Sequence, residues 1–440
     1  MISPDIIRDI FLAISLAFVI GTLFRPFLGV IGYLIIMVTR PGLYYPVLGE
    51  IRFELVVGLL IIAVILFVPG KLERLRPRND DVIKYMFMLF GVMLVSMVQA
   101  FDFAHSFEWM QEFAKVFLFF MMIVALAETL DDVKLFLWVF ALLMTFLAYE
   151  AIYNFHSGIV VQSISEDRID YATAGQGMGA GHVALANMLL QGMAFLWYLS
   201  RQSQNRIVRG IGLVLCGLSL YGIMVSGSRG GFVGLIALYL CVLYLSERKG
   251  PIVVAGAVGL FLLLFLSTES YFRYMETILD LVIGSADVSG GSRMTGLRHG
   301  FEMLIRRPIL GVGPGCYPLA RKAWFGWSLW AHNHYGELMG DLGIIGTVVW
   351  FKFLIAYLRR TLTHAKLPGG LELVPAIMTA ILVATIVRLV VGMGSHSVYI
   401  FFWYMLAAIV IVVVRIDRSV TKEATDSPDN ALESSRASET

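Results

Sequence analysis

Charge is scarce in this chain of 440 residues: Asp, Glu, Lys and Arg make up 15% of it, against 58% for the apolar residues. An ordinary soluble domain is about 25% charged. Folded in water, this composition would leave far more apolar surface than a monomer tolerates, so a soluble globular protein is excluded and lipid becomes the solvent. Cysteine is almost missing. Cys216 and Cys241 lie inside apolar runs and Cys316 is alone, which leaves no disulfide framework. There is no CxxC pair and no His/Glu helix pattern of the kind that holds zinc, so metal-site spacing is lacking. Basic runs interleaved with aromatics are also absent, and a nucleic-acid partner has no support. No repeat period is visible.

What is present is a series of apolar runs. A bilayer-crossing helix needs roughly 20 such residues, and spans are expected near 54–69, 83–101, 113–127, 134–153, 180–200, 207–225, 230–246, 251–267, 335–358, 373–393 and 397–415. Residues 9–39 are interrupted by Arg25-Pro26, where a break favours a short hairpin over one continuous crossing. The first apolar run is followed by no small-residue cleavage site and is expected to stay as an anchor. The fold class expected is therefore all-α: a polytopic transmembrane bundle of about 12–13 spans with one large, partly helical loop.

The net charge of +2 decides nothing, because orientation is written in which loops carry Lys and Arg. Lys71, Arg74, Arg76 and Arg78 form the clearest basic loop, and Arg201/Arg206/Arg209, Arg248/Lys249, Arg359/Arg360/Lys366 and Arg415/Arg418 fall on the same side. This side is expected to be cytoplasmic. The opposite loops, from Asp102 to Glu112 and from Ser163 to Asp170, are acidic or neutral, apart from the arginines of a long segment between Thr268 and Ala331. The organisation expected is N-terminal spans over 1–206, a core over 207–358 that contains the outer loop 268–334, C-terminal spans over 359–415 and a disordered cytoplasmic tail over 416–440.

Residues able to carry chemistry collect on the outer side. In the long segment, Thr295 to Arg307 has an amphipathic helical pattern that Pro308 stops, Gly311 to Gly315 forms a flexible bend, and Trp324, Trp327 and Trp330 suit the membrane interface. His332-Asn333 stands where the chain re-enters the bilayer. A His there suits a general base at neutral pH; the plainer alternative is an interfacial His bonded to backbone. His334 reads as structural. Arg229, in the tight Ser226-Gly227-Ser228-Arg229-Gly230-Gly231 turn, can form an anion site with exposed N–H groups, or simply snorkel. Arg293 and Arg298 share that ambiguity. Arg388 is an intramembrane cation and so a candidate for binding, unless Glu150 pairs with it. Glu337 and Asp341, four apart, either complement a helix dipole or line one face.

Taken together these residues resemble the O-antigen ligase and polymerase superfamily of bacterial envelope glycosyltransferases. His332-Asn333, nine residues, then Gly343-Ile344-Ile345-Gly346 is similar to that family's signature. The Ser226–Gly231 turn, and Ser292-Arg293 followed by a short helix and Arg307-Pro308-Ile309-Leu310-Gly311-Val312-Gly313-Pro314-Gly315, resemble its other landmarks in the same order, over residues 207 to 350. Leu297 departs from the family, which commonly shows Trp there. Arg25-Pro26 and Pro41 look similar to the ligase-like proteins associated with exosortase systems.

The resemblance implies transfer of a glycan from an undecaprenyl-diphosphate carrier to an acceptor hydroxyl on the periplasmic face, with membrane lipid around it and neither metal, cofactor nor nucleotide sugar. The acceptor is a glycolipid, a protein or a growing glycan. On this reading His332 takes the hydroxyl proton, Arg229 and Arg293 neutralise the leaving diphosphate, Asn333 and Glu337 orient the imidazole, and Arg298 and Arg388 are further binding candidates. A repeat-unit polymerase would use the same chemistry. A flippase for a polyprenyl-linked substrate is the alternative from another class, but it needs polar groups along a midplane route, whereas the candidates here cluster at one face.

Overall fold

A computed structural model describes residues 3–78, 80–158, 161–162, 169–170, 181–266, 288–365 and 372–425. Its helices are α1 (Pro4–Gly21), α2 (Pro26–Thr39), a short α3 (Pro46–Glu50), α4 (Phe53–Phe67), α5 (Asp81–Val98), α6 (Phe103–Leu126), α7 (Leu130–His156), α8 (His182–Gln202), α9 (Arg206–Val225), α10 (Arg229–Leu245), α11 (Lys249–Leu266), α12 (Val288–Arg306), α13 (Tyr317–Phe325), α14 (His334–His364), α15 (Leu373–Val391) and α16 (Phe402–Thr425). The strand content among the described residues is one minimal pairing, Val161–Gln162 with Ile169–Asp170. Eight helices are long and apolar enough to cross a membrane, and three shorter apolar ones accompany them. With α1 and α16 these make thirteen among the described residues, so the protein is an all-α, multi-pass membrane bundle.

Helix starts follow from capping side chains placed between apolar runs. Asp80 accepts from the N–H groups of Val82 and Ile83, Asp102 from that of His105, and Thr129 with Asp132 forms a capping box. Capping also corrects one expectation. The stretch from Asp102 to Glu112 is not an outer loop but the first turns of α6, whose charged residues project outward beyond the apolar part of the helix. The break at Arg25-Pro26 separates α1 from α2 as expected, and Arg25 is paired with Asp132 at 2.6 Å.

The bundle is built around α16. Residues 401–414 are buried without interruption, as a helix that is apolar all round should be. Phe113 and Phe353 pack on its Tyr404, Phe140 on its Phe402 and Trp350 on its Trp403. Past Arg418 the helix continues to Thr425, into what the sequence reading assigned to the tail; residues 426–440, and 268–287 of the outer loop, lie outside the described residues.

One end of the bundle gathers the basic loops. Lys71 and Arg74 pair with Glu128, Arg360 pairs with Asp80, and Arg415 donates to the carbonyls of Val124 and Ala127. The opposite end holds the start of α14, the α9–α10 turn, and the segment between α15 and α16.

Candidate functional site

A break in α14 organises this end. Gly343 sits at φ +62° inside the helix, and the 308–313 strap inserts at that point. Ile344 and Ile345 donate their N–H groups to the carbonyls of Pro308 and Ile309, while Val312 and Gly313 donate to Gly340 and Asp341. Backbone groups freed by the break are thus satisfied inside protein, the condition for irregular backbone in a membrane bundle. A Cβ on Gly343 would lie 2.6 Å from the Gly311 nitrogen, so the glycine is required by the close approach.

The Gly311–Gly315 bend is not a free hinge. Asp341, fully buried, accepts from the N–H groups of Gly315 (3.1 Å) and Tyr317 (2.8 Å) and from the Tyr399 hydroxyl (2.8 Å). Its glycines at positions 311, 313 and 315 take left-handed φ values, which lets a tight turn be pinned in this way. Asp341 is therefore a staple, not a helix-dipole residue.

Directly above, α12 lies against the first turns of α14 with almost no side chain between them. Gly296 and Gly300 on α12 face Ala331 and Gly336 so closely that a Cβ at 296 or 300 would overlap backbone. Both helices carry small residues four apart, the spacing by which membrane helices bring their backbones together. This contact sets the Arg293 side chain near the imidazole of His332. The guanidinium reaches Gly394, where an added Cβ would lie 3.5 Å from Nε.

His332 is half-buried and adopts φ +44°, a left-handed conformation unusual for a residue with a side chain. Its surroundings hold it there. Asn333 caps α14 by accepting from Tyr335 and Gly336, both at 3.0 Å, and its amide donates to the Met393 carbonyl at 3.1 Å. The ring meets that of His396 at 5.6 Å between centroids. Burial holds the His332 imidazole below its usual value, and the charges of Arg293 on α12, Arg321 on α13 and His182 on α8 add to that direction. At neutral pH it is an uncharged base with a lone pair.

The other candidates divide. Arg229 is buried at the first position of α10, behind the Ser228 cap. Gly231 of that turn packs on Ala186 of α8, and Asn187 of α8 donates to Ser395, so α8 connects the Arg229 turn to the His332 end. Arg298 is turned outward in an ion pair with Glu302 on its own helix, because α12 presents its glycine face to α14 and its opposite face outward. Arg388 is buried over Phe402 and Trp403, on the side of His334. Its expected partner Glu150 pairs instead with Arg8 of α1. Glu337 does not hold the His332 imidazole: Oε2 accepts from the N–H groups of Ser397 (2.9 Å) and Val398 (3.0 Å), tethering the α15–α16 segment. His334 is fully buried, its Nδ1 2.9 Å from the Ser397 hydroxyl. Trp324 and Trp330 pack on protein, against Phe101 and Trp109 respectively, whereas Trp327 is exposed.

Sequence reasoning missed Arg321 and His396. Arg321 is buried; it donates to the Trp330 carbonyl (2.9 Å) and to His299 Nδ1 (3.1 Å), fixing the chain that leads into His332. Nothing in its sequence surroundings marks it. His396 stands in Gly394-Ser395-His396-Ser397, a small-residue turn on the outer side, and that signal was available.

No curated protein matches the chain. Residues 214–351 match the family model described as O-antigen ligase, a segment running from α9 into α14 that contains Arg229, Arg293 and His332. The chain is thus similar to the O-antigen ligase family over this segment, and Arg229, Arg293 and His332 lie within it in that order, at one end of the bundle.

Proposed function

We propose that the protein transfers a glycan from a polyprenyl-diphosphate carrier, undecaprenyl diphosphate in a bacterial inner membrane, to an acceptor hydroxyl at the periplasmic face. The observation that carries this reading is the half-buried imidazole of His332, held in a left-handed backbone conformation against His396 and under the charges of Arg293 and Arg321, at the end away from the basic loops. The basic loops mark the cytoplasmic side. That leaves His332 at the outer mouth, with the C-terminus inside.

The chemistry follows from the groups present. The acceptor oxygen attacks the anomeric carbon, the bond from that carbon to the diphosphate oxygen breaks, and its electron pair leaves with the diphosphate. His332 takes the hydroxyl proton. Negative charge grows on the leaving group, and guanidinium groups stabilise it there, Arg293 beside the base and Arg229 from the α10 start. Asn333 holds the base in place through the helix cap. One displacement inverts the anomeric centre.

The test is reconstitution of purified protein in vesicles supplied with an undecaprenyl-diphosphate oligosaccharide and a hydroxyl acceptor. Transfer with inverted anomeric configuration is expected, and EDTA should leave its rate unchanged. Movement of the donor across the bilayer without bond cleavage would overturn the proposal in favour of a flippase, and retained configuration would overturn the single displacement.

A further inference from the structure

His396 lies outside the segment that matches the family model and outside every role assigned above. It is half-buried between Trp330, on which it stacks at 5.2 Å and 15°, and His332. Its Nδ1 has no hydrogen-bond partner among the described residues, although the atom is shut away from solvent. A buried polar atom left without a partner costs about 1–3 kcal/mol, so a fold retains one where a partner arrives later.

The turn that carries His396 is held from three sides. Glu337 accepts from the N–H groups of Ser397 and Val398, Asn333 donates to Met393, and Asn187 donates to Ser395. Two of those tethers start on α14, within five residues of His332. The two imidazoles are therefore fixed relative to one another by the same helix start.

Three roles can be weighed against these facts. As the base itself, His396 is poorly placed, because its Nδ1 is shut away from solvent against the rings of Trp330 and His332. As the next carrier of the proton it fails, because burial, with the neighbouring His332 adding to it, holds its imidazole down to about 4. A proton on His332 has no reason to move there. The remaining role is to accept a hydrogen bond. When His332 takes the acceptor's proton, both of its ring nitrogens carry N–H; one holds the transferred proton and the other needs an acceptor. The carboxylate that would ordinarily provide it, Glu337, is occupied by backbone.

We infer that His396 is a positioning residue for the base, accepting the second N–H of the His332 imidazolium formed during transfer, an inference that rests on His332 being that base. The transferred proton leaves through the exposed side of His332 and His396 stays uncharged throughout. Arg293, Arg321 and His182 are the other titratable or charged groups acting on His332, and they disfavour its imidazolium. The bond to His396 works in the opposite direction.

The experiment compares His396→Phe with His396→Gln in the reconstituted transfer assay. Phe keeps the ring and its stacking on Trp330 but has no acceptor; Gln gives up the ring but supplies a carbonyl oxygen. His396→Phe should lower kcat about 10²-fold at unchanged KM for the donor, and should move the acid limb of kcat to lower pH. His396→Gln should recover much of the lost rate. Wild-type kcat and an unmoved acid limb in His396→Phe would overturn the inference, as would a packing pattern in which Phe is active and Gln is not. His332→Ala separates the two claims: if it abolishes transfer while His396→Phe is silent, only the role of His396 falls, whereas an active His332→Ala removes the base itself.

Discussion

The two ends of the helix bundle handle charge in opposite ways. At the basic end, cations meet carboxylates or carbonyls one by one: Lys71 and Arg74 on Glu128, Arg360 on Asp80, Arg25 on Asp132, and Arg415 on two carbonyls. At the other end Glu150 still pairs with Arg8, but the two buried carboxylates of α14 serve the backbone. Glu337 binds two N–H groups and Asp341 binds two more with a tyrosine hydroxyl, while Arg293 and Arg321 set a positive field on His332. The first arrangement closes a structure. The second fixes loops with the acids of α14 and keeps the charges of Arg293 and Arg321 within reach of the base, which suits a site for an anionic leaving group.

Substitutions at the two ends should therefore differ in kind. His332→Ala is expected to reduce transfer by about 10²–10⁴-fold with normal protein level; wild-type rates would remove the base. Gly300→Leu should come next, with transfer down about 10²-fold, since its side chain must separate α12 from α14 and carry Arg293 away from His332. A fully active Gly300→Leu protein would show that this helix contact does not set the site. Arg229→Lys keeps the charge but loses the planar fork, and a defect of about tenfold or more, roughly 1.4 kcal/mol, is expected in kcat/KM for the donor. Equal activity would mean simple attraction in place of bidentate binding. Arg360→Gln, at the basic end, should cost about 1 kcal/mol of stability in thermal unfolding and leave kcat unchanged. A large kcat effect there would end the distinction between the two ends.

Much of this was legible in the sequence because lipid imposes simple rules. Apolar runs, Pro26 after Arg25, and the Lys/Arg bias gave the helices and their two ends. His332, Arg229 and Arg293 stood out through the resemblance of their motifs and order, since by position alone an interfacial His or a snorkelling Arg reads equally well. What could not be read was partnership. Glu337 and Asp341 look like helix-dipole residues along the chain, and only the fold brings Ser397, Gly315 and Tyr317 to them. Arg298 and Arg293 sit on the same helix, and their difference depends on which face α14 covers. The Gly296–Gly300 spacing was visible, but its contact with Ala331 and Gly336 was not, because short glycine motifs are common in apolar sequence.

The central claim is that the base beside Arg293 is His332, and the pH dependence of kcat tests it most directly. A guanidinium disfavours imidazolium, so the acid limb of the wild-type protein should lie below the ordinary histidine value of about 6.5, with transfer falling only as pH drops through that lowered value. In Arg293→Gln the imidazole should regain protons more readily and the limb should move to higher pH. A limb that stays in place, or moves down, would contradict the assignment.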